Sequence, residues 1–400
     1  MRKRLILAAG LLWAVPAAAQ NNGQDDGSQN PTIVVTGHSL ADTERALRDC
    51  IARNCPPDEE AAATIAHAEN QFVAGDYKAA RGTLLRGSAR LKRFGREYPV
   101  PVSDLLRANS RVSAHLGEGE AYRVGALDVL GTLRSGLGDD DPRVLVARVE
   151  VADSLAQFGR FDLAEQRYND VIRQARKLHL PVVEGFAMLR VASMRSQMAE
   201  EDPAKWRKRA YESIDLLINS PVPEHRPFGR AAAVLRARLA VQSGDKSAVD
   251  TVIADLRAHP TTRPVLIYSE SIRPPQQSGR EGLSGSVSMR GQTQGFDDQW
   301  VDISFWVAPN GQTTDVDVLR QSDHFDKDWA APIMASIRTR RYAPLKLDPS
   351  DPGILRVERY TLTSRYTTNT GSRLRDRETT PRIEMLDLSA DEPAPAKPAN

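Results

Sequence analysis

Hydrophobic and polar positions follow two different periods along this chain. From Leu40 to about Pro260 apolar residues recur every three or four positions, the spacing of amphipathic helices, punctuated by Gly and Asp. From Trp300 the stretch WVDISFWVAPNGQTTDVDVLRQS alternates apolar with polar instead, which is strand spacing, and Asn310-Gly311 marks a turn between two strands. A lone hairpin after so long a helical run needs a reason.

The helical part repeats. FVAGDYKAAR around Gly75, QFGRFDLAEQ around Gly159 and QSGDKSAVDT around Gly244 are alike and lie 84 and 85 residues apart. AHLGEGEAYR around Gly117 and MAEEDPAKWR near Glu201 fall midway, so five helical hairpins with a period near 42 account for all five corners. Such a period predicts an α-helical solenoid, each hairpin burying its apolar face on the next. Gly lets the chain leave one helix, and Asp or a basic residue starts the next. Ala80 and Ala164 sit where helices approach closely, with Tyr77 and Phe161 beside them. Gly75-Asp76-Tyr77 with Ala80, and Gly159, Phe161, Ala164 and Tyr168, resemble the tetratricopeptide repeat in a longer form than its usual, roughly 34-residue one. The resemblance implies a repeat domain over 41–260 that binds peptides or partner proteins in a groove. KWRKRAYESID, with Trp206 among basic residues, reads as a recognition patch or as a solvated helix face.

In the hairpin, a two-residue type I′ turn at Asn310-Gly311 would set Val307 opposite Thr314, Phe305 opposite Val316, Ile303 opposite Val318 and Val301 opposite Arg320. These pairs form an apolar face. Asp302, Ser304, Thr313, Asp315 and Asp317 form a polar one, broken by Trp306, so the sheet is expected to be covered on one side only. Trp329, Ile333 and Ile337 make the stripe of a covering helix of about four turns. Its cap falls around Asp326 to Asp328, and Arg338, Arg340 and Arg341 lie in its last turn, favourable to the helix dipole. GILRVERYTLTSRY adds a strand from Ile354 to Tyr366, and RPVLIYSESI (Arg263 to Ile272) reads as an edge strand or a lead-in. The result is a small two-layer α+β domain over 261–368.

This order of strand, Asn-Gly, Asp- and Val-rich strand, helix and the exit Arg341-Tyr342-Ala343-Pro344 resembles the C-terminal domain of the TonB energy-transducer family, over about Val265 to Tyr366. The resemblance implies a domain that binds an extended peptide, a short box of a TonB-dependent outer-membrane receptor, by adding it to the final strand. On this chain the contact would fall on Val357, Arg359, Tyr360, Thr361, Leu362 and Thr363, mainly through their backbone. Thr32-Ile33-Val34-Val35-Thr36 resembles such a box. The N-terminal arm 20–40 therefore reads as a strand that docks on a TonB-type domain, its own or another protein's, or as a β-prone arm packed on the solenoid. Departures from the family are the missing Pro-rich spacer and the missing Tyr-Pro motif, with only IRPPQQ nearby.

Arg2, Lys3 and Arg4, an apolar run from Leu5 to Val15, and Pro16 before Ala17-Ala18-Ala19 have the pattern of a cleaved secretory signal over 1–19; the alternative is an uncleaved inner-membrane anchor. Without that segment 51 basic residues stand against 52 acidic ones, which gives no case for nucleic acid. In an exported chain Cys50 and Cys55 read as a local disulfide. Cysteines at i and i+5 point to different sides of a helix, and Pro56-Pro57 resolves this by ending the helix at or before Cys55.

No histidine has a second histidine or a cysteine at helical spacing, and no G-x-S-x-G, P-loop or G-x-G-x-x-G motif occurs. No catalytic residue, metal, cofactor or small-molecule substrate is therefore expected, and the chain reads as a non-enzyme. From 369 to Asn400 the periodicity fades and DEPAPAKPAN ends the chain, so a disordered tail is expected. Together these readings give a periplasmic protein–protein interaction protein: a tetratricopeptide-like solenoid followed by a TonB-like domain, serving a TonB-dependent receptor or another TonB-system component. The alternatives are an envelope scaffold whose C-terminal domain is structural, and an anchored TonB-family transducer.

Overall fold

The computed structural model describes residues 39–245, 247–257, 260–272, 299–323, 325–348, 351–368, 375–377 and 382–389. The signal-like segment 1–19, the box-like Thr32 to Thr36 and the tail beyond 389 lie outside the described residues.

Eleven helices come first: α1 (Leu40–Ala52), α2 (Pro57–Val73), α3 (Tyr77–Leu91), α4 (Pro99–His115), α5 (Gly119–Leu137), α6 (Pro142–Gln157), α7 (Phe161–Lys177), α8 (Pro181–Glu201), α9 (Pro203–Ile218), α10 (Arg226–Gln242) and α11 (Ser247–Arg257). From α2 onward they pair into five hairpins that turn at Gly75, Gly117, Gly159, Asp202 and Gly244, where the sequence period puts its corners. The four glycines take φ of +91°, +78°, +70° and +100°. At each, the following amide donates five residues back, Asp76 N to Gln71 O, Glu118 N to Ser113 O, Arg160 N to Leu155 O and Asp245 N to Ala240 O, satisfying carbonyls the helix end leaves open. The fourth corner works differently. Asp202 caps α9 by accepting from Lys205 N, and Pro203 takes the first helical position.

Ala80 and Ala164 are wholly buried at the helix crossings, as their place in the repeat requires. The period extends to charge: Glu69, Arg111, Asp153 and Arg195, 42 residues apart on α2, α4, α6 and α8, alternate in sign. Trp206 is buried in the α8–α10 core with the Arg209 guanidinium 4.6 Å from its ring, so KWRKRAYESID shows basic residues rather than its aromatic to solvent. Cys50 and Cys55 are disulfide-bonded. The helix ends at Ala52 and Asn54 turns the chain at φ +52°, which brings the two Cα atoms to 5.1 Å.

The C-terminal part holds β1 (Leu266–Tyr268), β2 (Trp300–Val307), β3 (Thr313–Gln321), α12 (Ala330–Arg338), β4 (Arg341–Tyr342), β5 (Ile354–Thr363), β6 (Tyr366–Thr368), β7 (Arg375–Arg377) and β8 (Arg382–Asp387). Four antiparallel strands form one sheet in the order β3-β2-β5-β8. β1 pairs with β4, and β6 with β7. Val301, Ile303, Phe305 and Val307 are fully buried against Trp329, Ile333 and Ile337, the predicted stripe. α12 is shorter than expected: it spans Ala330–Arg338 after a 3-10 turn at Lys327–Trp329. Arg341 lies in β4 and Arg340 turns into the domain core.

The turn also differs. Gly311 N donates to Ala308 O and Ala308 N to Gln312 O, closing a three-residue loop, Pro309-Asn310-Gly311, with Gly311 at φ +81°. Pro309 favours this turn by presetting its own φ. A bulge between Trp306 and Ser304 then restores the expected register, so Ile303 does face Val318, and a second between Ile303 and Asp302 shifts it again, so Asp302, not Val301, faces Arg320.

The sheet's polar side is not open. Asp302, Arg359, Thr361 and Thr363 are buried there by the solenoid corners. β8 corrects the tail as well, since residues 382–387, expected to be disordered, complete the sheet.

Candidate peptide-binding strand and its surroundings

β5 lies inside the sheet. On one side it pairs with β2, from Trp300 opposite Thr361 to Val307 opposite Ile354. On the other it pairs with β8, from Glu358 opposite Asp387 to Thr363 opposite Arg382. Beyond that ladder Leu388 N donates to Val357 O at 2.8 Å and Val357 N to Ser389 Oγ at 2.9 Å. So Val357, Arg359, Tyr360, Thr361, Leu362 and Thr363 do form one strand, but its outer edge is occupied. All of them except the half-buried Val357 are buried. Among the described residues the two edge strands of this sheet are β3 and β8. On the β3 edge Asp315, at φ +49°, and the exposed Leu319 sit at bulges, a common way to blunt a free edge.

Successive β5 residues point to opposite faces. Arg359, Thr361 and Thr363 face the solenoid. The fully buried Arg359 guanidinium holds Asp302 with Nε–Oδ1 at 2.7 Å and Nη2–Oδ2 at 2.9 Å. It also donates to the carbonyls of Phe72 and Val73, both at 2.7 Å, at the end of α2, where Phe72 O accepts from Gly75 N as well, at 2.9 Å. Its Cζ lies 4.0 Å from the centre of the Trp300 ring. Trp300 packs on the bare Gly75 corner, where a Cβ would come within 2.7 Å of the indole nitrogen. Thr361 Oγ1 meets Tyr77 Oη at 2.9 Å and His115 Nε2 at 2.8 Å. Burial, with the charges of Arg359 and Arg382 adding to it, pushes His115 down to about 3, so its ring is neutral across the ordinary pH range. At the next corner Tyr366 N donates to Gly117 O, and a Cβ on Gly117 would collide with Ser364 O.

Glu358 and Tyr360 face the other layer. Both Glu358 oxygens accept from Arg340 Nη1 at 2.8 Å, and Arg340 also reaches Tyr360 Oη at 2.7 Å and Tyr342 Oη at 3.1 Å. Burial works to raise the Glu358 carboxyl, yet the Arg340 charge prevails and holds it below its ordinary value. Tyr342 is pushed up to about 12 by burial. On β8, Arg382, Glu384 and Leu386 share the solenoid-facing side with Thr363, Thr361 and Arg359. Burial raises Glu384 to about 7, against the opposing charges of Arg382 and Arg365. Asp387 pairs with Arg356 at the far end of the ladder.

Sequence reasoning missed the Asp302–Arg359 clamp because it spans 57 positions and joins two strands to a third element. The one available signal was Asp302, the single charged residue of an otherwise apolar or hydroxylic β2. The only group of three metal-ligand side chains among the described residues is Cys50, Cys55 and Glu59, and the disulfide consumes both sulfurs. No helix among the described residues is long and apolar enough to cross a membrane. No protein-family model matches the chain, and no curated protein matches its sequence.

Proposed function

We propose that this is an exported, non-enzymatic interaction protein that captures an extended segment of a partner by strand addition at the outer edge of β5, with β8 as the resident strand displaced on capture. The observation that carries this reading is the strand order β3-β2-β5-β8. β8 is the last strand of the sheet and pairs within it only with β5, so its exchange for another strand leaves the β3-β2-β5 ladder in place and takes only Ile383 from the α12 core. The disulfide supports export to an oxidising compartment. The resemblance to the TonB family supports the periplasm as that compartment, and a TonB-dependent receptor or TonB-system component as the partner. The solenoid serves here as a tetratricopeptide-like platform.

A labelled peptide of the β8 sequence, Arg382 to Ser389, titrated into the full chain tests the reading. Saturable binding that tightens when the chain carries Leu386→Asp, with none for a scrambled peptide, is the expected result. A folded chain that binds in neither form overturns it. The second reading, a scaffold whose C-terminal domain is structural, would then stand on the tight docking of Arg359 and Trp300 to the α2–α3 corner.

A further inference from the structure

Resting on strand exchange at β5, we infer that the partner segment is read on two sides, by the sheet core and by the solenoid corners, and that it carries the pattern apolar–acidic–any–apolar. The resident strand supplies the template. Ile383 enters the sheet core and is 8% exposed. Glu384, opposite Thr361, turns towards the solenoid, where its side chain is 14% exposed. Met385 is 38% exposed and makes little demand. Leu386, opposite Arg359, packs on the solenoid core cluster that includes Phe72, Tyr77 and Trp300.

Two features of the receiving side remain when β8 leaves. Glu384 is ion-paired with Arg382 of its own strand, and Arg365, exposed in the chain between β5 and β6, lines the same cleft as Arg382 and supplies a cation that stays when β8 leaves. The apolar surface under Leu386 belongs to α2, α3 and β2 rather than to the departing strand. A third contact selects the start of the segment. Arg382 shares a cleft with Gly117 and Gly119 of the α4–α5 corner and with Phe158 of the α6–α7 corner, so a long side chain is accommodated ahead of the apolar position. Strand addition alone reads backbone and is tolerant of sequence; the solenoid converts it into a selective site.

The test uses the full chain with a protease site inserted between Glu378 and Pro381, so that nicking makes β8 a separable fragment while every residue stays present. Displacement of that labelled fragment is then measured for peptide 382–389 and its variants. The expected series is displacement by the parent peptide, weaker by roughly tenfold or more for Glu384→Lys and for Leu386→Asp, and within about threefold for Met385→Ser. Arg365→Glu in the chain should restore the Lys peptide, and Phe158→Ala should weaken the parent peptide but not one with Arg382→Ala. Equal displacement by every variant overturns the inference and leaves strand exchange standing. Failure of the parent peptide to displace the fragment from a folded nicked chain overturns both.

Discussion

Replacing Arg359 by Met removes the guanidinium and keeps most of the stem's volume. Asp302, fully buried, is then left with Arg320 as its remaining cation, and that residue is 43% exposed. The Val73 carbonyl keeps a donor, Arg320 Nη2 at 3.1 Å, and the Phe72 carbonyl keeps Gly75 N at 2.9 Å. Breaking a buried ion pair costs about 3–5 kcal/mol because a charge is stranded. The partial rescue by Arg320 places this case at the lower end, about 3 kcal/mol. The loss falls on the junction of sheet and solenoid, not on either core. Urea unfolding of the full chain, followed by far-UV circular dichroism for the helices and by tryptophan fluorescence for Trp300, should therefore separate into two transitions, the fluorescence change first. Asp302→Leu combined with Arg359→Met should recover much of the loss, since no buried charge remains. A loss under about 1 kcal/mol with coincident transitions, or a double variant no better than the single, would refute the reasoning.

Gly75→Ala meets both a positive φ and the Trp300 ring and should lose about 1–3 kcal/mol in the same assay, whereas Gly159→Ala, with a positive φ but open space, should lose about 1 kcal/mol. Glu384 gives docking of β8 a pH dependence. Its pKa is raised in the docked state, so its contribution is fully present below about 4.5 and is lost as pH rises through about 7. Protection of β8 amides, corrected for intrinsic exchange, should fall over that window and flatten with Glu384→Gln. Replacing Cys50 and Cys55 by Ser should lower stability by roughly 2 kcal/mol at most, with amide protection lost in α1 and retained in α4–α8.

The repeat was legible because its corners carry local chemistry: Gly at positive φ, an acidic or basic residue to follow, and a small residue at the crossing. The strand–strand–helix–strand unit was legible for the same reason, since Ile333 and Ile337 fall one turn apart and β2 alternates cleanly. What escaped was non-local. Asp302 looks like part of a solvent face until the α2–α3 corner is brought against its partner Arg359. Arg340 reads as a helix-end cation until Glu358, 18 positions later, is placed beside it. β8 escaped because RIEMLD is short, charged at three of its six positions and flanked by polar sequence, so its strand character comes from the edge it completes.

Native-state hydrogen exchange on the full chain tests the central claim, an exchangeable strand on a rigid sheet–solenoid body, most directly. β8 amides are predicted to exchange through an opening well below the free energy of global unfolding, while amides of the β2–β5 ladder and of α4–α8 exchange near the global limit. Exchange of β8 and β2 amides at one common free energy would contradict the account, because β8 would then be a fixed part of the fold.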